Sequence, residues 1–342
     1  MNRTTVDSKW SLKVVAPESQ VWLDLLGKSS HLVFHEPEWA EAMSLAGRRI
    51  LCAVFLWEDE VKGGFMGVKI GFSICRVGYC NVPYGGFLGE RPQGEVLFGL
   101  LREFGSQQGL ARLQFVDFPG SGLVAQSGFE VVEDYTDRFR LKGQDVESLP
   151  QGYRRQLRQD LKKLRAAGVE VQSEDGKAGL QVLHHCYLQT MKAKGGIARY
   201  ELSWLTAVQK SLGRRCQVLV AKKGEQELGA MMIVDSKHCA HGLMLASDPA
   251  GPISSVNKIL LDTALQEALA RGMEFFDYMP SGKSASGVSH FKKLFGGERV
   301  VLQHEMLVVN SLGNWIWKRL YQVAGSFPGR LLLHLKRKLT SK

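Results

Sequence analysis

FFDYMPSGKSASGVSHFKKLFGG, residues 275–297, joins an apolar run, a Gly/Ser-rich bend and a lysine-bearing helix. The run from Met273 to Tyr278 reads as a strand with Asp277 near its end, and Pro280, Gly282 and Gly287 then interrupt regular structure. The spacing predicts a short helix over Val288–Phe295, with Phe291 and Phe295 on one face and Lys292 and Lys293 directed elsewhere. Gly296 and Gly297 stop it. A buried strand, a bend and a cationic helix in succession form a frame on which sites are built.

Working outward, the same order of signals occurs twice. Lys258–Ala270 is an apolar-faced helix followed by Gly272, a strand with Phe275 and Asp277, and Pro280. Val96–Phe104 is followed in the same way by Gly109, a strand with Phe115 and Asp117, and Pro119. Strand-like runs precede each helix: Ile50–Trp57 and Gly64–Phe72 in one half, Cys216–Ala221 and Leu228–Val234 in the other. A repeat of about 160 residues is a domain duplication, far longer than a solenoid period. The expected organisation is a first α/β domain over 1–148, a second over 149–310 and a separate tail over 311–342.

The strand ending in "FD", the Ser/Gly bend and the "FK" pair followed by an aromatic-Gly pair resemble the closing signature of the FemAB-type acyltransferases. Further elements are similar to that family: Phe34–Met43, FHEPEWAEAM, to its "F-x-x-P-E-W" segment; Asn81–Gly89, NVPYGGFLG, to its "P-x-Y-G-G" segment; and Gly168-Val169 after a basic helix. The resemblance implies an α/β fold of two tandem GNAT-like (acyl-CoA N-acyltransferase) domains with mixed central sheets. It also implies transfer of an aminoacyl or acyl group to an amine on a cell-envelope precursor, such as a peptidoglycan peptide or an amino sugar. It places a functional lysine at Lys292; from the residues themselves, Lys293 could substitute, Asp277 either orients Lys292 or the acceptor amine or caps the loop that follows, and Tyr278 and Ser281 are local candidates. Tyr84, Gly85 and Gly86 become candidates for acceptor binding, since adjacent glycines let a backbone approach a ligand. GNAT enzymes carry a Q/R-x-x-G-x-G/A loop for pyrophosphate. Asp248–Lys258, DPAGPISSVNK, stands there with one internal glycine and two prolines, and departs from that pattern. Ser254, Ser255, Asn257 and Lys258 are its cofactor-binding candidates. The expected co-substrate is aminoacyl-tRNA or acyl-CoA, with no tightly bound cofactor.

Charge is distributed unevenly. Tyr153–Arg165, YRRQLRQDLKKLR, sets Arg154, Arg155, Arg158, Lys162, Lys163 and Arg165 against one acid, Asp160, while Leu157, Leu161 and Leu164 make an apolar stripe. Such a face suits the phosphates of a nucleotide- or lipid-linked acceptor, coenzyme A or transfer RNA, with Arg154 and Arg158 as the candidates; it equally suits a solvated helix surface. After Glu305 no acidic residue occurs, whereas Lys318, Arg319, Arg330, Lys336, Arg337, Lys338 and Lys342 do. Trp315, Trp317 and the leucines of 331–335 share this tail, which Pro328 and Gly329 divide into two expected helices. It fits either an anionic membrane surface or a helix docked on its own domain.

Hydrophobic content of 44% and charged content of 23% are those of a folded soluble protein. No secretory signal and no apolar run of membrane-spanning length are visible, so the expected location is cytoplasmic, with peripheral association at the inner face of the membrane through 311–342. Six cysteines form no CxxC pair and the histidines offer no third ligand, so no metal site is expected; His238 and His241 read as structural or surface residues. There is no G-x-S-x-G elbow and no persuasive Ser/His/Asp constellation. Direct attack by a bound amine, with donors preorganised for a tetrahedral oxyanion, is the simpler chemistry. A non-catalytic scaffold and a nonspecific nucleic-acid binder are the competing classes, the latter weakened because stacking aromatics are interleaved with basic residues only in the tail.

Overall fold

The computed structural model describes residues 9–71, 73–80, 83–119, 128–174, 176–196, 198–253, 255–280 and 286–325. Its elements run β1 (Trp10–Val14), α1 (Gln20–Lys28), α2 (Pro37–Leu45), β2 (Arg49–Trp57), β3 (Glu60–Ile70), β4 (Val77–Cys80), β5 (Leu88–Gly89), α3 (Gly94–Gln107), β6 (Arg112–Val116) and β7 (Glu130–Arg140). There follow α4 (Arg155–Ala166), β8 (Glu170–Ser173), α5 (Lys177–Ala193), α6 (Leu202–Leu212), β9 (Cys216–Lys223), β10 (Gln226–Asp235), β11 (Cys239–Ser247) and α7 (Val256–Ala270). The chain continues with β12 (Phe275–Asp277), α8 (Ser286–Lys293), β13 (Glu298–Val308) and α9 (Ser311–Gly325).

Two compact units result. Unit 1 takes in residues up to 40, 48–132 and those from 303 onward; unit 2 takes in 41–47 and 133–302. In unit 1 the strand order is β1-β2-β3-β4-β6-β13, with β5 beside β3. In unit 2 it is β7-β12-β11-β10-β9-β8. The repeat is visible in the pairing. β4 and β6 lie parallel across the helical crossover α3, and β11 and β12 lie parallel across α7, while the remaining recorded pairs are antiparallel.

The last strand of each repeat is exchanged. β7 follows β6 in sequence but pairs with β12, and β13 follows β12 but sets His304–Val308 against β6. The compact units therefore part at 132/133 instead of 148/149, and residues from 303 return to unit 1.

Each unit has its own core. In unit 1, Leu97, Leu101 and Phe104 of α3 pack with Leu51, Phe55, Phe65 and Phe115, and the Phe87 and Phe115 rings stack at 4.1 Å. In unit 2, the α4 stripe Leu157, Leu161 and Leu164 packs with Ile259, Leu260, Ala264 and Leu265 of α7, and with Phe276 and Phe295. The period-3.6 stripe read in the sequence is the face that is buried. Trp39 is buried against Phe34, with ring centroids 4.9 Å apart.

The tail begins as a docked helix. A Cβ at Gly313 of α9 would stand 2.1 Å from the carbonyl oxygen of Ile74, Asn314 is buried, and the Trp317 ring lies over Gly71. The second expected tail helix lies outside the described residues. Among the described residues, no helix is long and apolar enough to cross a membrane.

Candidate functional site

Lys292 occupies the last turn of α8, where Phe291 and Phe295 direct the helix onto the core of unit 2 with their rings 5.5 Å apart. Helical phase then separates two adjacent lysines. Lys292 is 5% exposed and donates a hydrogen bond to the Met279 carbonyl oxygen, whereas Lys293 is exposed. Burial lowers the Lys292 ammonium to about 8, although the carboxylates of Asp137, Asp277 and Asp134 pull the other way.

The bend that receives Lys292 is held by Asp277. Its Oδ1 accepts the Met279 N–H at 2.8 Å and the Thr136 hydroxyl at 2.5 Å. This Asx-type contact fixes Met279 at φ +64°, a conformation that non-glycine residues adopt only when their surroundings enforce it. Asp277 thus shapes the loop and at the same time sets the carbonyl to which Lys292 is bound. Tyr278 is buried against Phe276 and Phe295; burial holds its hydroxyl well above the usual range, and that hydroxyl has no hydrogen-bond partner among the described residues. Asp137 of β7, 3% exposed, faces the Arg299 guanidinium at 3.7 Å.

Behind Asp277 stands His241, its register partner across the parallel β11–β12 pair, with Nδ1 3.7 Å from Asp277 Oδ2. Burial opposes the charge on His241, but the Cys239 sulfur and the Asp277 carboxylate reverse this and raise it to about 10. Burial likewise opposes ionisation of Asp277; its hydrogen bonds with His241, Thr136 and the Met279 N–H hold its carboxyl below the usual range. The pair is therefore imidazolium and carboxylate at neutral pH. Ser236 Oγ lies 2.8 Å from His241 Nε2, which produces a Ser-His-Asp order. Ser236 is 5% and His241 1% exposed, so this order is enclosed in the interior of unit 2 and holds Asp277 in place. His238, by contrast, is a surface residue beside Glu274 at 3.4 Å.

Arg154 starts α4, its N–H donating to the Leu294 carbonyl at 2.9 Å and its side chain exposed. Arg158 turns back on its own helix start, donating to the Tyr153 and Gln151 carbonyls at 2.8 and 3.1 Å. Lys258 is engaged with Asp160 at 2.6 Å, Asn257 carries a buried side-chain oxygen without a partner, and Ser255 is exposed at φ +69°. Ser254 and Ser281 lie outside the described residues. Unit 2 thus brings Lys292, Asp277 and Tyr278 together, with Arg154 and Lys293 at the adjoining helix ends.

Tyr84, Gly85 and Gly86 belong to unit 1. Tyr84 is buried near Phe34 at 6.0 Å, and the Gly85 N–H donates to Val116. A Cβ on Gly86 would meet Asp117 Oδ1 at 3.1 Å, so the glycine lets the segment lie against that carboxyl group. Asp117 is pushed up to about 7, first by burial and then by Glu305, against the pull of Arg91. Glu305 is itself clamped by Arg91 at 3.0 and 3.4 Å. Asp117 was not singled out as functional in the sequence, yet it is the repeat equivalent of Asp277: Phe115-x-Asp117 mirrors Phe275-x-Asp277. The two carboxyl groups are driven in opposite directions by their surroundings. All six cysteines are buried free thiols, and among the described residues no group of three His, Cys, Asp or Glu could hold a metal ion.

Residues 151–293 match the acetyltransferase (GNAT) domain family. No curated protein matches the chain in sequence. Among solved structures, FemX superposes with a TM-score of 0.59 at 12% identity, covering 92% of this chain and 100% of its own. A tandem GNAT protein from the clavulanic acid biosynthesis pathway gives 0.57 at 11% identity over 88% and 98%. The C-terminal domain of a putative lysylphosphatidylglycerol synthetase from Agrobacterium fabrum gives 0.56 at 12% over 89% and 95%. The chain has the fold of tandem GNAT proteins, and the match to the acetyltransferase (GNAT) family falls within unit 2.

Proposed function

We propose that this protein forms an amide bond on an amine of a cell-envelope precursor, a peptidoglycan peptide or an amino sugar, at the cytoplasmic face of the membrane, using an aminoacyl or acyl donor. The observation that carries the reading is Lys292: a buried ammonium with a pKa of about 8, held at the bend after the parallel strand β12. In the proposed reaction the amine nitrogen attacks the carbonyl carbon of an ester or thioester, the C–N bond forms, and the C–O or C–S bond to the donor breaks. Lys292 supplies positive charge to the oxyanion or to the departing oxygen or sulfur. The amine proton passes to water, to the substrate or to a nearby carboxylate. The exposed cationic face of α4 is assigned to acceptor or donor phosphates. Support for an envelope acceptor comes from the motif resemblance and from neighbours described as FemX and lysylphosphatidylglycerol synthetase.

A second reading, acyl-CoA-dependent N-acylation of a sugar or small amine in polysaccharide biosynthesis, is favoured by the GNAT acetyltransferase match and by the buried, unpartnered Asn257 oxygen at the start of α7. Thermal-shift measurements with coenzyme A, acetyl-coenzyme A and charged transfer RNA separate the two. A rise only with charged transfer RNA supports aminoacyl transfer, a rise with the coenzymes alone supports the second reading, and no rise with any donor argues for a scaffold.

A further inference from the structure

Unit 1 contains a surface pocket of about 470 Å³ whose lining includes Ser73, Ile74, Arg76, Ser106 and Asn310 and which the transfer chemistry does not use. Arg76 forms no ion pair among the described residues. Other cations lie within its electrostatic reach: after burial, Arg76 and Arg49 are what lower the pKa of Lys69, and neither Arg49 nor Lys69 pairs with a carboxylate among the described residues. A half-buried guanidinium beside two hydroxyl groups and an amide, in a field of cations, is a donor set for a phosphate.

Exposed apolar residues accompany that pocket. Ile74, which lines the pocket and whose carbonyl touches Gly313, is 47% exposed. On the face of α9 turned away from its docking contacts, Leu312 is 61% and Trp315 57% exposed. Arg319 lies over the Trp315 ring at 5.7 Å, and Lys318 faces Glu130 at 3.6 Å. Beyond residue 325 the sequence adds Arg330, Lys336, Arg337, Lys338 and Lys342 with no acidic residue. Exposed Trp and Leu on the helix that follows the Arg76 pocket, continued in sequence by basic residues, match the layering of an anionic bilayer surface.

We propose that this face of unit 1 docks on an anionic phospholipid bilayer, with one lipid phosphate in the Arg76 pocket and with Ile74, Leu312 and Trp315 in the headgroup–acyl boundary. The assignment is independent of the transfer reaction. Its test is co-sedimentation of the full chain with vesicles of phosphatidylcholine and phosphatidylglycerol, against vesicles of phosphatidylcholine alone. The wild type binds only the former, and binding weakens as salt is raised above about 0.1 M. The double change Leu312→Ser and Trp315→Ser, at exposed positions, lowers partitioning at least about tenfold, and Arg76→Gln lowers it about fivefold. Three results overturn the proposal. One is unchanged vesicle binding in these variants with loss on removing 326–342, which assigns attachment to the terminal segment alone. Another is an Arg76-dependent thermal shift with inorganic phosphate and no vesicle binding, which makes the pocket a free-phosphate site. The third is a change of oligomeric state in the double variant without a change in vesicle binding, which makes the patch a self-association surface.

Discussion

Replacing His241 by Gln tests whether the charged pair behind the lysine bend exists. The substitution leaves the Asp277 carboxylate, 0% exposed, without its imidazolium. Breaking a buried pair from one side costs about 3–5 kcal/mol. The structure gives the same direction: His241 is raised from 6.5 to about 10, by the Cys239 sulfur as well as by Asp277, an upper bound of about 5 kcal/mol at ~1.4 kcal/mol per pKa unit. Because the folded-state pKa is the higher one, this contribution is complete below 6.5 and is lost as pH rises through 10, with about 1–2 kcal/mol left at pH 9. Asp277, depressed in the folded state, loses its share only as pH falls below the ordinary carboxylate range. Cys239, Ser236, Thr136 and the Met279 N–H also meet the pair, and the Lys292 ammonium lies within electrostatic reach of Asp277. Thermal unfolding of wild type and His241→Gln at pH 6 and pH 9 reads the difference. The unit 2 transition falls by roughly 6–20 °C at pH 6, at ~2–4 °C per kcal/mol, and by a smaller margin at pH 9. Equal melting temperatures at pH 6, or a deficit of the same size at both pH values, refute the ion pair.

Three further outcomes are expected. Wild-type kcat/KM falls as pH rises through about 8, where Lys292 loses its proton, and Lys292→Arg moves that limb upward; an unmoved limb assigns it to another group. Asp117→Asn removes a carboxyl whose folded pKa is raised to about 7, so wild-type stability declines between pH 4 and 7 from this group while the variant is spared, gaining ~2–4 kcal/mol at pH 8 in urea titrations; a variant less stable than wild type at pH 8 contradicts the burial argument. Gly313→Ala sets a Cβ 2.1 Å from the Ile74 carbonyl and should lift α9, costing ~1–3 kcal/mol and speeding hydrogen exchange in 311–320; unaltered exchange there argues against the docked helix.

The duplication was legible because Phe115-x-Asp117 and Phe275-x-Asp277 each follow an apolar-faced helix and a glycine in the same order. The exchange of β7 and β13 was not, since an antiparallel strand carries the same alternation whichever repeat it joins. Helices α5 and α6 also went unread. Lys292 was marked by its motif, but its burial beside an exposed Lys293 depends on the phase of α8 against the core. His241 is a lone histidine on a strand; only the register of β11 against β12 brings it to Asp277. Asp137 and Thr136 enter through the exchanged strand, so nothing local announces them. Asp117 had a signal in the repeat symmetry itself. The Arg76 pocket gathers residues from 73–76, 106–110 and 309–310, too far apart in sequence for any motif.

The most direct test of the central claim is single-turnover amide formation by wild type and Lys292→Met with aminoacyl-tRNA and acyl-CoA donors and an amine acceptor. The account predicts product from one donor class, with the variant about 10²–10³ slower at an unchanged circular dichroism spectrum. Equal rates in a folded Lys292→Met protein would contradict it.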